Sequence, residues 1–313
     1  MYKRALSDQM FNDFKNKDGK LHCLLQRVLK DDTLSLEFRG NGGEETKRKN
    51  HFSEGANVYY RGGSLFYIEK KADGYILKFN TNYCKENEAS LLSNLSVDEA
   101  IDKIPYYKQT MDFYFSGKCK YEREFQQNVV RENNGLGDIS HATDYYITDV
   151  EYCYENYRFD MIAVKWLSKG YVRKNMNAPS VSVIEMKYGD DALDDKAGIE
   201  SHLNDFNSFV KSVDLKAFCN DQSKIFRQKC ELGLIPDMQK MPYNIDIQRT
   251  NMEIIFLLAN HDPDSTILKR IVSSINPDDY KFTIKFSLAS MMGYGLYDDN
   301  MMTLEELLSY LKK

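Results

Sequence analysis

The sequence predicts an α+β protein in which a mixed β-sheet is flanked by helices and preceded by a β-rich amino-terminal region. Short strand-like runs, separated by turns that contain Gly or Asp, follow one another between residues 21 and 80. Beyond residue 120, buried strand-like runs alternate with amphipathic helical segments. Because such alternation is typical of a sheet covered by helices, we predict a β-rich region at 1–105 and a second domain at 106–313.

Length and composition indicate a soluble globular protein. Of the 313 residues, 42% are hydrophobic and 28% are charged, which fits packed domains rather than a disordered chain. The net charge of −5 excludes a surface coated in positive charge but allows a local basic groove. The amino terminus lacks the apolar stretch of a signal peptide, and the longest apolar run, 254–259, is too short to span a membrane. We therefore expect a cytoplasmic protein.

Several common site types are not indicated. The sequence contains no HExxH, GxxxxGK[ST] or GxSxG motif. The cysteines form no CxxC pair and have no histidine at a spacing suited to zinc. They are scattered along the chain, at Cys23, Cys84, Cys119, Cys153, Cys219 and Cys230.

The amino-terminal region is predicted to be mostly β-structure. Apolar runs separated by polar or glycine-containing turns lie at 21–29, 34–38, 57–61, 64–70 and 75–80. The spacing of the last three predicts an antiparallel meander. Their aromatic side chains fit either the core of a small β domain or a surface on which nucleic-acid bases stack. The region could in the second case help to select a substrate.

A short helix is predicted between the two regions. Ser96 and Glu99 have the spacing of a capping box, which starts a helix. Pro105 is expected to end it, because proline removes a helical hydrogen bond. The domain boundary is therefore placed at this proline.

The next predicted helix, 121–131, turns two polar residues inward. At about 100° per residue, Glu122 and Gln126 fall on the same face as Phe125 and Val129. Glutamates on helix surfaces are common, so an exposed Glu122 is the alternative.

Two strands follow, and the second contains a carboxylate. The run 145–154 is separated by a tight turn from 157–167, which reads YRFDMIAVKWL. Asp160 interrupts the apolar side chains of this second strand. A strand end that reaches solvent would explain Asp160, and so would a binding site.

The segment 180–188, SVSVIEMKY, places two charges in a strand that is apolar on both faces. Because side chains alternate along a strand, Glu185 and Lys187 share a face with Val181 and Val183. Such strands are usually central, where an unpaired charge is costly. A salt bridge between Glu185 and Lys187, or a metal site, would account for them. The Asp/Glu-x-Lys pattern recurs elsewhere, but this copy alone follows a strand that contains a carboxylate.

The predicted elements beyond 188 continue the sheet and its covering helices. The segment 198–213 has apolar residues at helical spacing, and His202 flanks this apolar stripe. A half-buried structural histidine is the usual explanation for such a position, and support of a site is the alternative. Further helices and strands are predicted at 224–234, 251–260, 265–275, 281–289 and 304–311.

The order of these elements resembles the PD-(D/E)XK nuclease superfamily, whose core is restriction-endonuclease-like. The resemblance covers residues 118–261, and Phe159 stands where the first family motif has proline. It implies a metal-dependent nuclease that hydrolyses phosphodiester bonds, those of DNA rather than RNA. The residues that match the family motifs are Glu122, Asp160, Glu185, Met186 and Lys187.

The resemblance also implies a metal site. Asp160 and Glu185 would provide oxygen ligands, joined by the main-chain carbonyl of Met186 and by Glu122. Two carboxylates about 4 Å apart repel by roughly 4 kcal/mol at an effective dielectric constant near 20, and a cation between them removes this repulsion. Oxygen ligands suit Mg²⁺ or Mn²⁺.

Catalytic and supporting roles follow from the same resemblance. Lys187 would orient the attacking water and stabilise the charge of the transition state. Glu122 would bind the ion directly or through a water molecule. Gln126 and His202 would support the site.

The expected partner is nucleic acid, and no membrane partner is expected. Lys169, Arg173 and Lys174 form a basic patch between the two central strands, which fits contact with a phosphate backbone. A solvated loop has the same composition. Asp190, Asp191, Asp194 and Asp195 form an acidic loop that fits a second ion or simple solvation.

The alternative function is a non-catalytic module that retains the nuclease fold and binds nucleic acid or protein. The sequence leaves open homo-oligomerisation and the choice between endonuclease and exonuclease action.

Overall fold

The computed structural model describes residues 3–40, 54–84, 94–135, 143–171, 179–194, 196–235, 252–289 and 295–312. Helices and two β-sheets confirm the predicted α+β class. The chain divides into two compact units. The first comprises Met1–Leu136 and Lys224–Met238, and the second comprises Gly137–Ser223 and Gln239–Lys313.

The first unit contains a four-stranded antiparallel sheet in sequential order. Its strands are β1 (Leu34–Gly40), β2 (Gly55–Tyr60), β3 (Gly63–Lys71) and β4 (Gly74–Phe79). Arg61 and Gly62 join β2 to β3 with φ of 50° and 70°, and positive φ at both positions is typical of the tight turns that close hairpins. The predicted antiparallel meander is therefore present.

The helices α1 (Asp8–Lys15), α2 (His22–Leu29) and α3 (Val97–Gly117) contribute buried side chains to the hydrophobic core of the first unit. The helix α4 (Tyr121–Asn134) also belongs to this unit. Large buried side chains from strands and helices, among them Phe14, Phe38, Phe66 and Tyr107, belong to the same cluster.

One local prediction for this unit is wrong. Residues 21–29 were expected to be extended, but α2 covers most of them. Leu24, Leu25 and Val28 are its buried residues, and their spacing gives one apolar face of a helix rather than the alternation of a strand.

The predicted end of α3 at Pro105 is also wrong. The capping box of Ser96 and Glu99 begins the helix as expected, but the helix continues to Gly117. Side chains on both sides of the proline, including Ile104 and Tyr107, are buried in the core of the first unit, and this packing outweighs the lost hydrogen bond. The predicted boundary at 105/106 thus falls inside α3, whereas the first unit extends to Leu136.

The second unit contains a six-stranded mixed sheet in the order β10-β9-β8-β7-β6-β5. The strands are β5 (Tyr145–Tyr154), β6 (Tyr157–Lys165), β7 (Ser180–Tyr188), β8 (Glu253–Ala259), β9 (Thr283–Ala289) and β10 (Met302–Thr303). Neighbours from β5 to β7 pair antiparallel, β7 to β9 pair parallel, and β9 and β10 pair antiparallel.

Helices lie in the connections between the parallel strands. Between β7 and β8 the chain forms α5 (Ile199–Ser212) and α6 (Leu215–Glu231), and the second unit includes α6 only as far as Ser223. Between β8 and β9 it forms α7 (Thr266–Ser274), and α8 (Leu304–Tyr310) follows β10. Among the described residues, no helix combines the length and the apolar composition that crossing a bilayer requires.

A charged network ties the carboxyl-terminal segment to this sheet. Lys165 Nζ lies 2.7 Å from Asp298 Oδ1 and 3.3 Å from Glu253 Oε2. Lys285 pairs with the same two carboxylates, and the Tyr145 hydroxyl donates to Asp298. Burial acts to raise the pKa of Asp298, but hydrogen bonds from Lys165 and Lys285 hold this pKa well below its usual range.

Asp298→Asn is expected to lower the free energy of unfolding at about pH 7 by about 1–3 kcal/mol, because bonds to two largely buried ammonium groups are weakened. A lowered carboxyl pKa stabilises the fold above the ordinary value of 3.8 and this stability is lost as pH falls through the folded pKa. Urea denaturation should therefore show that the free energies of unfolding of the native protein and of Asp298→Asn become equal as the pH is lowered.

Asp299→Asn is the matched control, because within the described part of the chain the exposed Asp299 forms an ion pair only with the exposed Lys169. It should change stability by less than about 0.5 kcal/mol. Equal losses in both variants would contradict the assigned role of Asp298.

Candidate active site

The strands β6 and β7 part beside Asp160. Their antiparallel ladder ends at the pair Met161 and Ile184, although β7 remains paired with β8 as far as Tyr188. Just beyond the last pair, Asp160 Oδ2 accepts a hydrogen bond of 2.9 Å from the backbone N–H of Met186. A buried backbone N–H needs an acceptor, so the carboxylate replaces the missing strand partner and is fixed against β7.

Glu185 is adjacent to that contact and lies in the protein interior. Glu185 is only 1% exposed, and its Oε1 has no hydrogen-bond partner within the part of the chain that the structure describes. A buried acceptor left without a donor costs about 1–3 kcal/mol. The Oε1 atom of Glu185 is therefore an acceptor that a cation or a hydrogen-bond donor of a ligand would satisfy.

The pKa values of the two carboxyl groups are both raised. Burial raises the pKa of Asp160, although the charge of Lys187 and the bond from Met186 oppose this shift. Burial, followed by the negative charge of Asp160, raises the pKa of Glu185 well above its ordinary value. A cation bound beside them would favour the ionised form of both groups.

His202 connects Glu185 with Lys187. Its Nδ1 lies 3.3 Å from Glu185 Oε2, and its Nε2 lies 3.0 Å from Lys187 Nζ. The ammonium group can only donate, so Nε2 accepts and the ring proton is assigned to Nδ1, facing the carboxyl group. No direct ion pair joins Glu185 and Lys187 in the described structure, so a direct salt bridge between them does not explain these charges.

The packing of α5 places His202 at this position. Ile199, Leu203, Phe206 and Phe209 form its buried side. The rings of Phe206 and Phe209 lie 5.8 and 5.1 Å from that of Phe159. Phe159, the residue before Asp160, therefore anchors α5 beside that carboxylate.

Two predicted site residues belong to the first unit. Glu122 and Gln126 lie on α4, where Gln126 is buried and Glu122 is partly exposed. Asp160, Glu185, Lys187 and His202, which form the cluster described above, all belong to the second unit.

The predicted basic patch is described only in part. Lys169 is exposed and lies 2.5 Å from Asp299, as expected of a side chain on a solvated loop. Arg173 and Lys174 lie outside the described residues, so their contact with nucleic acid stays a prediction.

The acidic loop contains an acid–imidazole pair that the sequence analysis missed. His261 Nδ1 lies 2.8 Å from Asp190 Oδ1, with side chains 7% and 10% exposed. The sequence contains an indication of this pair. Asp190 follows β7 and His261 follows β8, and adjacent parallel strands end at the same edge of a sheet. Asp191 and Asp194 are exposed, Asp194 pairs with Arg270 of α7, and Asp195 is outside the described residues.

The donor set fits a hard cation better than zinc. In the described ranges, no three His, Cys, Asp or Glu side chains are arranged to hold a metal ion. Asp160, Glu185 and the main-chain carbonyl of Met186 would therefore need water or substrate oxygens to complete a coordination shell. Mg²⁺ keeps several waters and is usually bound by one or two carboxylates, so the unpartnered Glu185 Oε1 and its neighbours suit this ion or Mn²⁺.

Glu185→Gln is expected to raise the melting temperature of the metal-free protein at neutral pH by about 2–4 °C, which corresponds to about 1 kcal/mol. The raised folded pKa of Glu185 means that stability is greatest below the ordinary value of 4.5 and is lost as pH rises through the folded pKa. The gain from glutamine should therefore shrink as the pH falls toward that ordinary value.

The control for this comparison is Asp205→Asn, which removes an exposed carboxylate from α5. Its melting temperature should follow that of the native protein at each pH. A Glu185→Gln protein that melts below the native protein at neutral pH would show that the carboxyl group is not under electrostatic strain.

Comparison with protein-family models, with curated proteins and with solved structures found no match. A function for the chain must therefore be inferred from the chemistry of its own residues.

Proposed function

We propose that the protein is a Mg²⁺- or Mn²⁺-dependent nuclease that hydrolyses phosphodiester bonds in nucleic acid, DNA in preference to RNA. The observation that supports this most is the convergence of Asp160, Glu185 and Lys187 where β6 and β7 part. A buried carboxylate oxygen without a partner lies beside a second carboxylate and a buried ammonium group. Metal-dependent phosphodiester hydrolysis can use carboxylates to hold the ion and an ammonium group to stabilise negative charge.

The order of elements around the cluster also supports the proposal. Three antiparallel strands, β5 to β7, precede α5 and then β8, which is parallel to β7. The resemblance to the PD-(D/E)XK superfamily, with its restriction-endonuclease-like core, rests on a helix with Glu122, hairpin strands with Asp160 and with Glu185-Met186-Lys187, an amphipathic helix and a further apolar strand. Asp160 lies on β6 and Glu185 on β7.

Asp160 and Glu185 are the side chains that would hold the ion, together with the carbonyl of Met186. When bound, the ion neutralises charge on the scissile phosphate and favours deprotonation of water. The bond from Met186 to Asp160 holds one carboxylate in place before any ligand arrives. Glu122 stays a predicted further ligand, and Gln126 a predicted support.

Lys187 is placed to act on the phosphate and on the attacking water. Its ammonium group has three N–H donors, and one of them bonds to His202. The other two can donate to a phosphate oxygen and to the water oxygen, so the same group orients the nucleophile and stabilises the developing negative charge. Because Lys187 is only 5% exposed, such contacts would be little screened by solvent.

Binding of nucleic acid would depend on local basic groups, since the chain has a net charge of −5. The predicted contacts are Lys169, Arg173 and Lys174, which precede β7. A protein that binds through such a patch without cleaving would be the non-catalytic module. The presence of all three core charges favours the nuclease.

Asp160→Ala, Glu185→Ala and Lys187→Ala are each expected to reduce metal-dependent cleavage by at least about 10²–10³-fold, the usual effect of removing one group that stabilises transition-state charge. Cleavage would be measured on linear, circular and single-stranded DNA and on RNA, with Mg²⁺ or Mn²⁺ and with a chelator. Melting curves would verify that each variant folds.

Asp205→Asn and Lys211→Met are the controls, because both residues are exposed on α5 and neither touches the cluster. They should cleave at the native rate. Undiminished cleavage by the three alanine variants would show that the assigned roles are wrong. Native protein that binds DNA and Mn²⁺ but leaves every substrate intact would instead support the non-catalytic module.

A further inference from the structure

We infer that His202 is a positioning residue that keeps Lys187 from pairing with Glu185 and so leaves Glu185 open to a cation. This inference rests on the proposed nuclease site and adds a requirement to it. Lys187 and the metal ion compete for the carboxylate of Glu185, and His202 prevents Lys187 from binding it.

The geometry of β7 makes direct pairing the default arrangement. Glu185 and Lys187 are two residues apart on one face of a strand, so their Cα atoms are separated by about 6.6 Å. The lysine side chain is long enough to reach the carboxylate across this distance. Opposite charges attract strongly where solvent is excluded, and these residues are only 1% and 5% exposed. Nevertheless, the described structure contains no direct ion pair between them.

His202 occupies the position between the two charges. Nε2 accepts from Lys187 at 3.0 Å, and Nδ1 faces Glu185 Oε2 at 3.3 Å. The imidazole therefore bonds to Lys187 through one ring nitrogen and turns the other toward Glu185, which separates the two side chains. Glu185 Oε1 is left without a partner in the described structure as a result.

The position of the ring is set by packing rather than by the charges. His202 lies on α5 one residue before Leu203 and one turn before Phe206, both of them fully buried. The Phe206 ring is 4.6 Å from Phe282, which precedes β9, and 5.8 Å from Phe159 of β6. The helix is therefore held against the sheet independently of Glu185 and Lys187.

Removal of the imidazole has a specific consequence. Lys187 would then move to Glu185, and its ammonium group would take the place that a divalent cation needs. The affinity for the metal should therefore fall when His202 is removed. It should recover when Lys187 is removed as well, because no ammonium group is then left to occupy the site. Loss of a metal ligand, or general loosening of the helix, would not be corrected in this way.

The test is Mn²⁺ binding measured by calorimetry on native protein, His202→Ala, Lys187→Met and the double variant. His202→Ala should bind Mn²⁺ at least about tenfold more weakly, equivalent to about 1.4 kcal/mol. Lys187→Met should bind as tightly as native protein or more tightly. The double variant should bind within about threefold of Lys187→Met.

His202→Gln is the conservative rescue, since an amide offers one acceptor and one donor to the same neighbours. It should bind Mn²⁺ within about threefold of native protein. An equal loss from His202→Ala in the presence and absence of Lys187 would overturn the inference, because the histidine would then be a ligand or a general structural element. Unchanged affinity in His202→Ala would overturn it as well.

Failure of the proposed function gives a different result. If native protein binds no Mn²⁺, the proposed metal site is wrong, and a crystal structure of metal-free His202→Ala still decides the positioning role. Lys187 Nζ is expected within about 4 Å of a Glu185 oxygen, the limit for an ion pair. A lysine that stays apart from Glu185 in that structure would overturn the inference.

Discussion

The central constraint in the second unit is the confinement of two carboxyl groups at one point of a β-sheet. Asp160 and Glu185 lie on neighbouring strands in an environment that raises the pKa of both. Burial of two such groups is costly, and apolar side chains of similar size are often at least as stable in such positions. The unpartnered oxygen of Glu185 adds to this cost. The cost is understandable if the site has a function that needs negative charge.

Other elements of the unit hold these groups in place. The end of the β6–β7 ladder frees the Met186 N–H for Asp160, while the parallel pairing with β8 keeps the carboxyl end of β7 straight. Phe159 anchors α5, and α5 in turn carries His202 to Glu185 and Lys187. Phe159, which precedes Asp160, therefore contacts the helix that carries His202 through Phe206 and Phe209.

The sequence predicted the positions of the clustered side chains best where local periodicity determines geometry. Strict alternation in β7 placed Glu185 and Lys187 on one face, and helical spacing placed His202 beside the apolar stripe of α5. The capping box at Ser96 was recognised because its two bonds are local. The end of α3 was not, because the packing that carries the helix past Pro105 involves residues distant in sequence. The Asp190–His261 pair likewise depends on which strands become neighbours, and the assignment of α4 to the first unit depends on long-range packing that helical periodicity does not report.

The most direct test of the central claim is a crystal structure of the protein soaked with Mn²⁺, with the ion located by its anomalous scattering. We predict a single strong peak within about 2.0–2.3 Å of oxygens from both Asp160 and Glu185, with water molecules completing the shell. A peak elsewhere in the second unit, for example at Asp190 and His261, or no peak beside the two carboxylates, would contradict it.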